Sequence, residues 1–199
     1  MRDQVRHDNM GKLKSKELRL TILMILAMIT WGLSWTNAKI VGNYGSAPLM
    51  MFWRFFIASL SFAPIVWWKG QSFKITREGL RFIILNSVFM TSYNFFYFKG
   101  TQVGLAGAGG VLVTTLNPIL TTLFSALFFG GILLRKDIVG LMLGFFGGAC
   151  ILKIWDLNLD LLFQSGNFHY IMASFSWVSV TILTSRSKAV IPFIPYSFW

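Results

Sequence analysis

Long apolar runs broken by short polar ones set the pattern of this chain. Leu20–Ile40, Ala47–Trp68, Leu80–Phe98 and Val103–Phe129 are each close to, or beyond, the roughly 20 residues an α-helix needs to cross the hydrocarbon of a bilayer. Ile138–Leu152 is shorter but sits between turn signals and reads as a fifth span. Phe168–Ser185 reads as a sixth, and Ile191–Trp199 as the opening of a seventh. The connections are 41–46, 69–79, 99–102, 130–137, 153–167 and 186–190, and only the first 19 residues form a longer polar stretch. The pattern predicts an all-α integral membrane protein, a polytopic helix bundle. The head is long and charged, and no small-residue cleavage site follows the first apolar run. An uncleaved first span is therefore expected rather than a signal peptide.

Composition agrees. Of 199 residues, 55% are hydrophobic and 13% charged, against about 25% charged in a typical soluble domain. The single cysteine, Cys150, excludes a disulfide within these residues and any multi-cysteine metal site. The net charge of +11 raises nucleic acid as a partner. The cations fall between apolar runs rather than on one basic face, so nucleic-acid binding is not expected. Their distribution instead gives an orientation. With the N-terminus in the cytoplasm, fourteen Lys and Arg lie on the cytoplasmic side, three (Lys39, Lys99, Lys153) lie outside, and Arg54 is within a span. A multi-pass cell-membrane protein with a cytoplasmic N-terminus is the expected arrangement.

The sixth span echoes the first. Trp177 follows Trp31 by 146 residues, and Phe198–Trp199 follows Phe52–Trp53 by the same 146. An odd number of spans lies between the copies, so the second enters from the opposite side. This is an inverted-topology repeat, an arrangement that places transport sites near the midplane where the halves meet. The arithmetic predicts a full-length protein of roughly twice the repeat length, of which this chain would be a truncated form.

The motifs resemble a known family. MetIleThrTrpGlyLeuSerTrp in the first span is similar to the opening of EamA-type transporters of the drug/metabolite transporter superfamily. PheTrpArgPhePhe in the second resembles that family's arginine segment, with Arg54 at the matching position. The stretch from Tyr97 to Gly130 resembles its third-to-fourth helix junction, with Pro118 at the family proline, and Val139–Leu152 resembles its glycine-rich fifth helix. Where the family often has a Gly-Glu pair, this chain has Gly130–Gly131. The resemblance implies two five-helix halves. This chain would supply a basic cytoplasmic tail (1–19), the first five-helix repeat (20–154) and the start of the second (166–199). It also implies a carrier of small organic metabolites or drugs working by alternating access. The alternative is a non-transporting fragment or assembly partner that needs a second half.

Candidate substrate-binding residues come from polar and aromatic positions inside spans. Arg54 has seven residues of its apolar run before it, about 10 Å from the nearer helix end. A cation there is costly unless it snorkels to the headgroups or finds a partner. It either snorkels or anchors an anionic group, for which its planar donor fork is suited. On the fourth span Thr114, Asn117, Thr121 and Ser125 recur at helical spacing, and Pro118 frees the carbonyl of Thr114. They line a cavity or bond between helices. On the third span Tyr93 and Asn94 are deep, whereas Tyr97 lies nearer the external end and reads as interfacial. On the first, Asn37 joins a polar line with Thr30 and Ser34, with Trp31 and Trp35 on the adjoining face; Trp177 repeats the theme. These indoles either pack or stack on flat or cationic ligands. Lys39 and Lys99 read as interfacial. Gly140, Gly144 and Gly148, like Gly100 and Gly104, permit close backbone approach, and the fifth helix offers a surface for a homo-oligomer.

All seven acidic residues fall in tails, loops or span ends, so an intramembrane carboxylate relay is not expected in this half. No embedded acid–base pair or metal-ligand cluster is visible, and neither an enzyme activity, a metal nor a cofactor is implied. The expected partners are the lipid bilayer and a small-molecule substrate.

Overall fold

The computed structural model describes residues 2–130, 134–152, 154–156 and 165–199. Gly131, Lys153 and Asp160 lie outside them. The described residues form α1 (Arg2–Val41), α2 (Ala47–Trp68), α3 (Arg77–Val103), α4 (Ala106–Phe129), α5 (Arg135–Leu152), α6 (Asn167–Ser187) and a short α7 (Phe193–Phe198), with one 3₁₀ turn at Ile154–Asp156. The protein is all-α, a polytopic membrane helix bundle.

The outer surface is apolar. Leu23, Ile29, Leu33, Leu127 and Leu143 are all more than half exposed, the reverse of a water-soluble surface and the expected dress of helices facing lipid. Among the described residues three helices are long and apolar enough to cross a bilayer by length and composition: Lys16–Val41 within α1, α2 and α4. The sequence expectation also made α3, α5 and α6 spans. α3 and α6 are less apolar because they form the centre. Their long mutual interface is the most extensive among the described residues, and α6 also packs on α4. They carry the buried polar side chains Asn94, Thr101, Ser174 and Ser176. Ser92 and Ser176 hydroxyls meet across this interface at 3.0 Å. α5 packs on α4, α1 on α3 and α4, and α2 on α3 and α7.

Several boundaries differ from the pattern of apolar runs. α1 is helical from Arg2, through the basic segment expected to be a tail; that stretch is rich in Lys, Arg, Leu and Met, which favour helix, and lacks proline. The third span extends past Phe98 through Val103, and the break expected at 99–102 falls at Gly104–Leu105. Gly104 N–H closes on Gly100 O at 2.7 Å, and a Cβ at Gly104 would run into the backbone of Ser165. The corner is therefore packed closely against the approach to α6. At the opposite end of α3, Thr76 caps the helix, its Oγ1 accepting from Gly79 N–H at 3.1 Å. Gly130 ends α4 with φ 65°, a left-handed conformation that glycine adopts without strain.

Candidate functional site

Ring contacts run through the centre of the bundle. Trp31 of α1 lies 6.2 Å from Trp177 of α6 between ring centroids, and Trp177 lies 4.7 Å from Tyr93 of α3. Tyr93 stacks 5.9 Å from Tyr97, which meets Trp35 edge-on at 4.6 Å, and Trp35 in turn meets Tyr170 at 5.9 Å. Such pairs contribute about 0.5–1.5 kcal/mol each beyond burial alone, so the column holds three helices together. Tyr93, Tyr97, Trp35 and Tyr170 are buried, while Trp31 and Trp177 are half-buried. The two tryptophans leave ring surface free at one end of the column.

Two buried asparagines, Asn94 next to Tyr93 on α3 and Asn117 on α4, have unmet capacity. Asn94 is 1% exposed; its amide donates to Met90 O at 2.8 Å, and its Oδ1 has no partner among the described residues. Asn117 Oδ1 is likewise buried without a partner. A buried acceptor left unpaired costs roughly 1–3 kcal/mol, and such groups in a membrane interior are the ones a ligand's donor can satisfy. Thr114 and Pro118 lie on the exposed side of α4. The Thr114 hydroxyl is already committed to Gly110 O and Val111 O at 2.7 and 3.0 Å. The polar line on α4 therefore divides, with Asn117 turned inward and Thr114 outward.

Arg54 and Asn37 are brought to a second feature. A groove of about 540 Å³ opens among α1, α2 and α3, lined by Ser34, Asn37, Tyr44, Trp53, Arg54 and Tyr97 among others. The Arg54 guanidinium carbon sits 5.4 Å from the centroid of Tyr97 and 5.9 Å from that of Phe98. Tyr97 joins groove and column. It was expected to be interfacial; instead it is 2% exposed and donates to Ser34 O at 2.9 Å.

Side chains clamp the end of this region. Lys39 Nζ, expected at the interface, donates to Gln102 O at 3.0 Å and Gly104 O at 2.9 Å. Gln102 Nε2 donates to Gly42 O and Gly45 O at 3.1 and 2.8 Å. Tyr170 OH lies 2.9 Å from Gly100 O and 3.1 Å from Leu105 O, both acceptors for its single proton. At the α3–α4 corner Lys39 of α1 thus satisfies the carbonyls of Gln102 and Gly104, while Tyr170 of α6 adds a second donor at Gly100 O and Leu105 O, which already accept backbone N–H groups. Gln102 and Tyr170 were not singled out from sequence. The glycines at 100, 104 and 109 were the available signal: a Cβ at Gly100 or Gly109 would overlap the Tyr170 ring. Glycine density announces a close approach without naming what approaches.

On α5, Gly144 and Gly148 face Ile119 and Thr115 of α4, whereas nothing lies within 4 Å of a Cβ placed at Gly140.

No solved structure matches the chain. The curated protein "Uncharacterized transporter YyaM" of Bacillus subtilis (strain 168) is 22% identical over 175 residues, an alignment covering 86% of this chain and 57% of that protein. The chain thus spans less than two thirds of that relative's length. Residues 18–153, the whole of the first five helices apart from the basic start of α1, match the EamA-like transporter family, and the chain belongs to that family.

Proposed function

We propose that the chain forms the first repeat and the opening of the second in a multi-pass cell-membrane transporter of small organic solutes, with its N-terminus in the cytoplasm. The two repeats rock against each other about a central site and expose it alternately to either side. Trp31, Tyr93, Asn94, Asn117 and Trp177 line that site, and Arg54, Asn37, Thr114 and Pro118 flank it.

The observation that carries this reading is the contact between Trp31 and Trp177, 6.2 Å apart. They occupy equivalent positions of the 146-residue repeat. Equivalent residues touch only close to the axis that relates two copies, so the pair supports an inverted repeat whose axis passes between the indoles. The unpaired Oδ1 atoms of Asn94 and Asn117 support a polar site nearby.

The test is solute flux in vesicles, using the protein expressed from its full reading frame and a panel of small organic solutes. Trp177→Ala, Tyr93→Ala and Asn94→Ala are each expected to lower flux of the transported solute by about tenfold or more, the equivalent of losing one good contact, while insertion stays intact. Flux unchanged in all three would remove the site from the aromatic column.

A further inference from the structure

We propose that the groove among α1, α2 and α3 is an oxyanion subsite, and that the solute it takes is an amphipathic organic anion whose carboxylate pairs with Arg54 while its apolar body rests on the aromatic wall. The inference rests on the transport reading above for its physiological meaning, but its binding chemistry is testable separately.

Arg54 lies exposed on the wall of the groove. Its guanidinium folds back over Tyr97 and Phe98, at 5.4 and 5.9 Å from the ring centroids. Those rings lie beside the cation, and a guanidinium carries a planar fork of several donors that matches a carboxylate bidentately. Among the described residues no carboxylate answers it. Every Asp and Glu lies in a tail, a loop or the first turns of a helix, and among the described residues none pairs with Arg54. Asn37 and Ser34 place polar groups on the groove wall, while Trp53, Leu49 and Phe98 supply apolar area. The volume of about 540 Å³ lies within the range of small-molecule sites. A cation without a counter-charge two turns into a span is a costly arrangement that an incoming anion relieves. The same charge disfavours organic cations.

The probes are phenylacetate and its uncharged isostere phenylacetamide, with binding followed by equilibrium dialysis on the full protein in phosphatidylcholine vesicles. Wild type is expected to bind the acid at least about tenfold more tightly than the amide, the scale of one charge-assisted hydrogen-bonded pair. Arg54→Gln should bring the acid down to the amide's level and leave the amide unchanged, which shows the groove is intact; Arg54→Lys should retain part of the preference. Equal binding of acid and amide by wild type, or an acid preference that survives Arg54→Gln, would overturn the proposal. Loss of acid binding when phosphatidylglycerol is added would identify a lipid headgroup as the occupant and overturn the assignment to a free solute. Arg54-dependent binding without flux would remove the transport reading and leave the subsite standing. Flux by wild type with no preference for acid over amide would do the reverse.

Discussion

The residue that most constrains this structure is Tyr170, and it carries no motif. Its ring fills the space left by Gly100 and Gly109, and its hydroxyl is shared between Gly100 O and Leu105 O. Tyr170→Phe leaves the ring in place and removes only that hydroxyl, so a loss of about 1 kcal/mol is expected, read as a few degrees in the thermal unfolding midpoint of the purified protein. Gly109→Ala places a methyl inside the ring and is expected to lose about 1–3 kcal/mol in the same assay. Gly107→Ala on the same helix meets nothing within 4 Å, so it should be neutral or gain up to about 1 kcal/mol from better helix propensity. At this scale the sequence was legible where chemistry is rare. A lone in-span arginine and paired tryptophans stand out in a greasy background, and the structure places Arg54 in a groove and Trp31 against Trp177. Lys39, Gln102, Tyr97 and Tyr170 were misjudged or passed over because their partners are backbone carbonyls 57 to 70 positions away. Carbonyls have no identity in a sequence.

Among the elements, the corner between α3 and α4 holds one end of the bundle together. Gln102 ties it to the loop between α1 and α2, and Lys39 ties α1 to it. Gln102→Ala is expected to leave every helix intact while freeing the carbonyls of Gly42 and Gly45. Hydrogen exchange of amides 42–46 should then speed up severalfold, with no change in the middle of α3. A uniform rise in exchange would instead mean that the residue supports the whole fold. α5 divides by face. Gly148→Leu would strike Thr115 of α4, where an added Cβ already sits 3.3 Å away, and should weaken the α4–α5 contact. Gly140→Leu meets open space within the chain and should be tolerated unless a second copy packs there, in which case cross-linking of paired chains should fall. Span existence was readable because twenty apolar residues in a row have one physical explanation in a chain with so few charges. Span ends were not, because α3 and α6 hide polar side chains against each other and the α3–α4 break is packed closely against Ser165.

For the whole molecule, the strong bias of Lys and Arg to one side predicts which faces meet the cytoplasm. Cysteines introduced at Lys74 and Lys188 should react with an impermeant maleimide only in opened vesicles, and one at Tyr44 should react in intact cells. The reverse pattern would invert the orientation. α6 follows the first five helices in the chain. α6 is inserted among them, against α3 and α4. That placement has a consequence for how the protein is made. When α4 leaves the ribosome, the hollow at Gly100 and Gly109 is bare, because the tyrosine that fills it lies some sixty residues downstream. At ordinary elongation rates that delay lasts roughly 3–12 s. Through that interval the α3–α4 pair lacks the ring that fills its cleft in the finished bundle.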